Sequence, residues 1–135
     1  MKKIKFLLIS FMISFWSFNL NAADWTMASG YPKSNFHTQN IMKFIDEVKA
    51  NTSVNINLNP NDTLIKLDAI KTSLQRGQIP IGEIRFGIYG NEDPMYILAG
   101  LPFIAPDYAS AWLLKEVKHE YLQNLFNKKG LRILY

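Results

Sequence analysis

Apolar and polar positions follow two periods along this chain, and the changes of period mark its elements. Trp25–Ala28 is a short apolar stretch ending at Ser29-Gly30-Tyr31-Pro32, which reads as a strand and a turn. Ser34 or Asn35 then serves as a helix N-cap. Ile41, Phe44, Ile45 and Val48 follow at i, i+3, i+4 and i+7, one apolar helix face ending near Ala50. From Val54 to Leu58 the alternation is strict, hence a second strand. Asn59-Pro60-Asn61-Asp62 is a turn, with Asn61 or Asp62 capping a second helix that carries Leu64, Leu67, Ile70 and Leu74. Gly77 sits just past its end, where a left-handed residue is favoured. Ile79–Phe86 is the third strand and carries Glu83 and Arg85.

A loop punctuated by Gly87, Gly90, Pro94, Gly100 and Pro102 leads to Asp107, the expected cap of a third helix. Leu114, Val117, Tyr121 and Leu125 would line its apolar face, Lys128 and Lys129 suit its negative end, and Gly130 terminates it. Leu131–Tyr135 then opens a further strand inside the pattern, which points to a truncated chain. The order β-α-β-α-β with short connections predicts an α/β fold with parallel strands and crossover helices.

The first residues stand apart. Lys2, Lys3 and Lys5 precede the uncharged apolar run Phe6–Phe18, and small residues follow at Ala22 and Ala23. This is the three-part pattern of a secretory signal peptide over residues 1–22, cleaved after Ala22 or Ala23. The apolar run is well short of the ~20 residues that span a bilayer as a helix. The expected product is therefore exported and not embedded in a membrane.

Composition then excludes several chemistries. The formal net charge is +4, but three of the lysines lie in the signal segment, leaving about +1 for residues 23–135. With no basic cluster beyond Lys128-Lys129, a nucleic-acid surface is not expected. The absence of cysteine removes disulfide scaffolds, thiol chemistry and cysteine-based zinc sites. His37 and His119 lie on separate helices without a spaced partner, so neither a metal nor another cofactor is expected. The turn after the first strand lacks the glycine spacing of a nucleotide fingerprint, and no serine sits in a nucleophile elbow. Glu83 and Glu92-Asp93 are the available carboxylates for acid–base work, but Pro94 makes the second pair a turn or cap. An enzyme is not expected.

In open parallel sheets ligands bind beyond the carboxyl ends of the strands. Ser29–Asn35, Asn59–Asp62 and Arg85 should collect at that rim. The guanidinium of Arg85 can clamp a carboxylate bidentately. An Arg85–Glu83 pair that merely solvates the rim is an equally good reading. His37, in the first turn of its helix, can face the same cleft, although a structural role suits it better.

The ordered set Arg76-Gly77-Gln78-Ile79-Pro80-Ile81-Gly82-Glu83, Asn91-Glu92-Asp93-Pro94 and Leu101-Pro102-Phe103 resembles the solute-binding receptors of tripartite ATP-independent periplasmic (TRAP) transporters, of the dicarboxylate-receptor type. Ser34-Asn35-Phe36-His37-Thr38, Pro60-Asn61 and Lys129-Gly130-Leu131-Arg132-Ile133-Leu134 fit the same pattern, so that the resemblance covers Trp25–Tyr135. It implies a non-enzymatic periplasmic receptor of two α/β lobes that closes on an organic acid and delivers it to membrane permease subunits. Residues 23–135 would be the first-lobe portion of a type II periplasmic-binding-protein-like fold, without the second lobe. The arginine that chiefly clamps the carboxylate in this family comes from the later part and cannot be carried over. The rim positions implied here are Tyr31, Asn35, Glu83, Arg85 and Tyr89. Two departures concern turns: Thr52-Ser53 stands where the family has Thr-Gly, and Asp62 where it often has Gly. A different expectation is a free-standing small exported α/β domain that binds a protein partner.

Overall fold

Three parallel strands in the order β2-β1-β3 form the centre of the computed structural model, which describes residues 23–134. The signal-peptide segment 1–22 and Tyr135 lie outside the described residues. β1 (Asp24–Ala28) pairs along its whole length with β2 (Asn55–Asn59), from Asp24 opposite Asn55 to Ala28 opposite Asn59. Alternation sends Met27 and Ala28 to opposite faces of the sheet, and each nucleates a core. Met27 packs with Ile41, Ile56 and Ile81 beneath α1 (Phe36–Asn51), whose Phe44, Ile45 and Val48 close that layer. Ala28 packs with Ile70 and Ile79 beneath α2 (Ile70–Gln75). The face predicted for the first helix is thus the buried one, and burying a side chain such as Ile41 contributes about 1.5–3 kcal/mol.

Asn35 caps α1, its Oδ1 accepting from the His37 N–H at 2.9 Å. At the other long helix, α3 (Tyr108–Asn127), the Asp107 Oδ1 accepts from the Ser110 N–H at 2.7 Å. Gly77 and Gly130 follow α2 and α3 at φ 67° and 71°, the left-handed conformation expected of them.

Four details differ from the sequence expectation. The second helix begins only at Ile70, because Asn61 and Asp62 both stand at φ 57°. A left-handed pair cannot open a right-handed helix. Instead the turn is tied back to the chain after β1, Asn61 N–H to the Tyr31 carbonyl at 2.9 Å and Asp62 N–H to the Ser29 carbonyl at 3.2 Å.

The third strand shrinks from Ile79–Phe86 to β3, Ile81–Gly82, opposite Met27 and Ala28. Pro80 has no N–H to offer a ladder. After Glu83 the chain leaves the sheet, and at Phe86–Tyr89 it coils into a 3₁₀ turn, the first of three among the described residues.

The buried side of α3 carries Leu122 and Phe126, with Leu125 packed beside them, whereas Val117 is 70% exposed and Tyr121 is 48% exposed. Tyr89 and Tyr96 explain that rotation, since they form the cluster on which Leu122 and Phe126 sit. Finally, residues 131–134 make no strand among the described residues. Leu131 and Ile133 pack on the same cluster, and the Leu131 N–H bonds the Phe126 carbonyl at 3.0 Å.

Candidate functional site

The carboxyl ends of β1 and β3 meet at Ser29 and Glu83. The ladder carries on one step past β3, the Glu83 N–H bonding the Ala28 carbonyl at 2.9 Å. That bond fixes the Glu83 backbone beside Ser29, whose hydroxyl is fully buried and donates to Glu83 Oε2. The same hydroxyl accepts from the Tyr31 N–H at 3.3 Å. A serine hydroxyl has one proton to give, and here it goes to Glu83.

Tyr31 and Asn35 converge on His37. The Tyr31 ring stacks on the His37 imidazole with centroids 5.1 Å apart, and Asn35 Oδ1 holds the His37 N–H. Buried Thr38 donates from Oγ1 to the Tyr31 carbonyl at 3.2 Å, pinning the first turn of α1 to the loop after β1.

A cavity of about 680 Å³ opens beside β3, between α1 and the segment after α3. Its floor is apolar, formed by residues such as Met27, Ile41 and Ile81, and its polar lining includes His37, Asn40, Glu83 and Arg132. Size and lining fall in the range of small-molecule sites.

Of the five rim positions expected from sequence, Glu83 lines this cavity, while Tyr31 and Asn35 position the lining residue His37. Arg85 is exposed and, among the described residues, has no ion-pair partner, so the Arg85–Glu83 pair is not formed. Tyr89 is buried in the aromatic cluster rather than at the rim. The 3₁₀ turn swings it inward, where its hydroxyl donates to the Asp68 carbonyl at 3.2 Å. Burial raises its pKa. Asn40 and Arg132 were not singled out from sequence, and Ser29 entered only as the first residue of the rim segment Ser29–Asn35. Ser29 carried a signal only as the first residue past a strand, and Arg132 lay in a segment read as a strand.

Beneath Tyr89 lies a second polar group. Lys71 is 2% exposed, pairs with Glu92, and holds its Nζ 3.9 Å from the Tyr89 ring centroid. Lys129, at the end of α3, reaches the other Glu92 oxygen at 2.6 Å. The hydrogen bond from Lys129, then that from Lys71, holds the Glu92 carboxyl below its ordinary range, and the Glu92 bond raises Lys129. This group joins α2, the 3₁₀ turns and α3 without lining the cavity. No group of three or more potential ligands that could hold a metal occurs among the described residues, and no helix among them is long and apolar enough to cross a membrane.

The fold is part of an α/β lobe, with polar groups gathered at the carboxyl ends of β1 and β3. No family model matches the chain, and no curated protein matches it. Among solved structures it is similar to DctP6 of Bordetella pertussis, an extracytoplasmic solute receptor binding pyroglutamic acid. The two share 34% identity over 84% of this chain and 38% of the receptor, with a TM-score of 0.81. A marine metagenome TRAP solute-binding protein specific for pyroglutamate matches at 30% identity and TM-score 0.81, over 86% of this chain and 39% of that one. The ectoine-binding protein of the TeaABC TRAP transporter of Halomonas elongata shares the fold at TM-score 0.71 and 19% identity, over 82% of this chain and 37% of its own. The chain therefore resembles TRAP solute-binding receptors in fold and in sequence, and it spans less than two-fifths of the length of DctP6 and the metagenome receptor.

Proposed function

We propose that this chain contributes one lobe of an exported, periplasmic TRAP-type receptor that captures a small carboxylate-bearing solute and presents it to membrane permease subunits. The observation that carries the reading is the 34% identity and TM-score of 0.81 to a receptor binding pyroglutamic acid. The rim at the carboxyl ends of β1 and β3 supports it physically, because its polar groups surround an apolar floor of solute size. The solute class is that of cyclic amino acids such as pyroglutamate. In this role Glu83, His37, Asn40 and Arg132 face the solute, with Tyr31 and Asn35 holding His37 in place. Arg85 supplies an unpaired guanidinium at the exposed edge, and Tyr89 supports the rim from beneath. The chemistry is capture and release, with no bond made or broken.

The test is thermal melting of the full-length polypeptide bearing this chain across a panel of organic acids that includes pyroglutamate. A bound solute stabilises by RT ln(1 + [L]/Kd), about 2.7 kcal/mol at a hundredfold excess over Kd. The expected result is a rise in Tm that grows with the logarithm of solute concentration. No rise with any acid of the panel overturns the reading.

A further inference from the structure

Glu92 is gripped from two sides, and the two grips differ in kind. Lys71 approaches it from α2, 2% exposed, with Nζ 3.9 Å from the centroid of the Tyr89 ring and 5.5 Å from that of Tyr96. Breaking a buried pair leaves an uncompensated charge, so this grip lasts as long as the fold. Lys129 meets the other carboxylate oxygen at 2.6 Å, the two side chains being 29% and 33% exposed, and water can replace it at small cost. Lys129 is also the last residue before the left-handed turn at Gly130, where the Leu131 N–H reaches back to the Phe126 carbonyl at 3.0 Å.

The described residues past that turn are cavity lining. Residues 130–134 all line it, Arg132 among them, yet they belong to no helix or strand among the described residues. Leu131 and Ile133 seat them on the aromatic cluster. Upstream, α3 has its own tie to the same loop, the Tyr121 hydroxyl donating to Asp93 Oδ2 at 2.8 Å. The helix is therefore held about two turns before Lys129, and the Lys129 ion pair is left to fix the direction in which the chain departs.

We infer that Lys129 is a positioning residue of the cavity: its ion pair with Glu92 holds residues 130–134, and Arg132 with them, in place as the wall. This rests on the receptor reading above, and adds to it a residue that does not itself line the cavity. Apparent affinity for a solute then scales with the fraction of molecules in which the wall is held.

The test is made on the full-length polypeptide bearing this chain, with Lys129→Gln and, should that variant fail to fold, Lys129→Met, which keeps the apolar stem. Amide hydrogen exchange at Gly130 and Leu131 should quicken about three- to fivefold, with the β1–β2 ladder unchanged. Titration calorimetry with pyroglutamate should show affinity falling by about the same three- to fivefold. Arg132→Gln removes a side chain that the wall presents, and in that background the loss caused by Lys129→Gln should shrink to less than about twofold. Faster exchange in the ladder as well as at the wall marks a merely fold-stabilising residue and overturns the inference. Unchanged exchange at Gly130 and Leu131 overturns it too, as do losses of affinity that multiply independently in the double variant. All three outcomes leave the receptor reading intact. If the unaltered protein binds neither pyroglutamate nor any other acid of the panel, the receptor reading itself is overturned, and the cavity role of Lys129 with it.

Discussion

Asp62 shows how a side chain is accommodated in the left-handed region at a single residue. It stands at φ 57°, a conformation that costs an ordinary side chain about 1–2 kcal/mol and glycine almost nothing. Its Oδ1 accepts from the Leu67 N–H at 2.8 Å, a local bond that offsets the backbone cost. Glycine would relieve the strain and forfeit the bond. Asp62→Gly should therefore lie within about 0.5 kcal/mol of the parent, whereas Asp62→Val, which keeps the strain and loses the bond, should cost about 2 kcal/mol. Urea denaturation of the two variants checks the ordering. A valine variant as stable as the glycine one would remove the conformational argument. The pair Asn61-Asp62 was legible as a turn, since both residue types tolerate the left-handed region. Which way it would send the chain was not, because that depends on bonds to Tyr31 and Ser29, 30 and 33 positions earlier in the sequence.

Among the elements, the brace Lys71–Glu92–Lys129 does what the sheet does not, joining α2, the 3₁₀ turns and α3. Its buried member is Lys71, so removing Glu92 strands a cation against the Tyr89 ring. Glu92→Ala should cost about 3–5 kcal/mol, and the double variant Glu92→Leu with Lys71→Met should recover most of it. Thermal melting of both gives the comparison, and a double variant no better than Glu92→Ala would show that packing rather than charge is at issue.

The same brace sets a pH profile. Glu92 titrates lower in the folded state, so its contribution is complete above the ordinary glutamate range and is lost as pH falls through the depressed value. Lys129 titrates higher, so its contribution is complete below the ordinary lysine range and is lost as pH rises through the raised value. Stability should show a plateau between these limits, and Glu92→Ala should flatten both shoulders of the melting-temperature profile. An unchanged acid shoulder in the variant would place the titrating group elsewhere.

For the molecule as a whole, what could be read from sequence was what local period determines. β1, β2, α1 and the caps Asn35 and Asp107 were legible because alternation and capping chemistry act within a few residues. The start of α2 was not, since Leu64, Leu67, Ile70 and Leu74 keep helical spacing through a segment that Asn61-Asp62 had already turned. The buried side of α3 was misread for a related reason: apolar residues lie on more than one side of that helix, and only contact with Tyr89 and Tyr96 selects among them. The site was partly legible. A carboxylate close behind the apolar run Ile79–Ile81 marked Glu83, but its partner Ser29 lies 54 residues away and is brought to it by strand register alone.

β3 is two residues long, and its hold on β1 has a consequence in time as well as in space. Few backbone bonds must break to release it, so its opening free energy should lie well below that of the five-residue β1–β2 ladder. Amide hydrogen exchange should find the Glu83 N–H much less protected than the N–H groups within the β1–β2 ladder. Equal protection would mean that the sheet opens only as one unit. If the difference holds, the acid at the cavity wall belongs to the most readily released strand, and a solute that grips Glu83 would slow exchange at β3 before it slows exchange anywhere else.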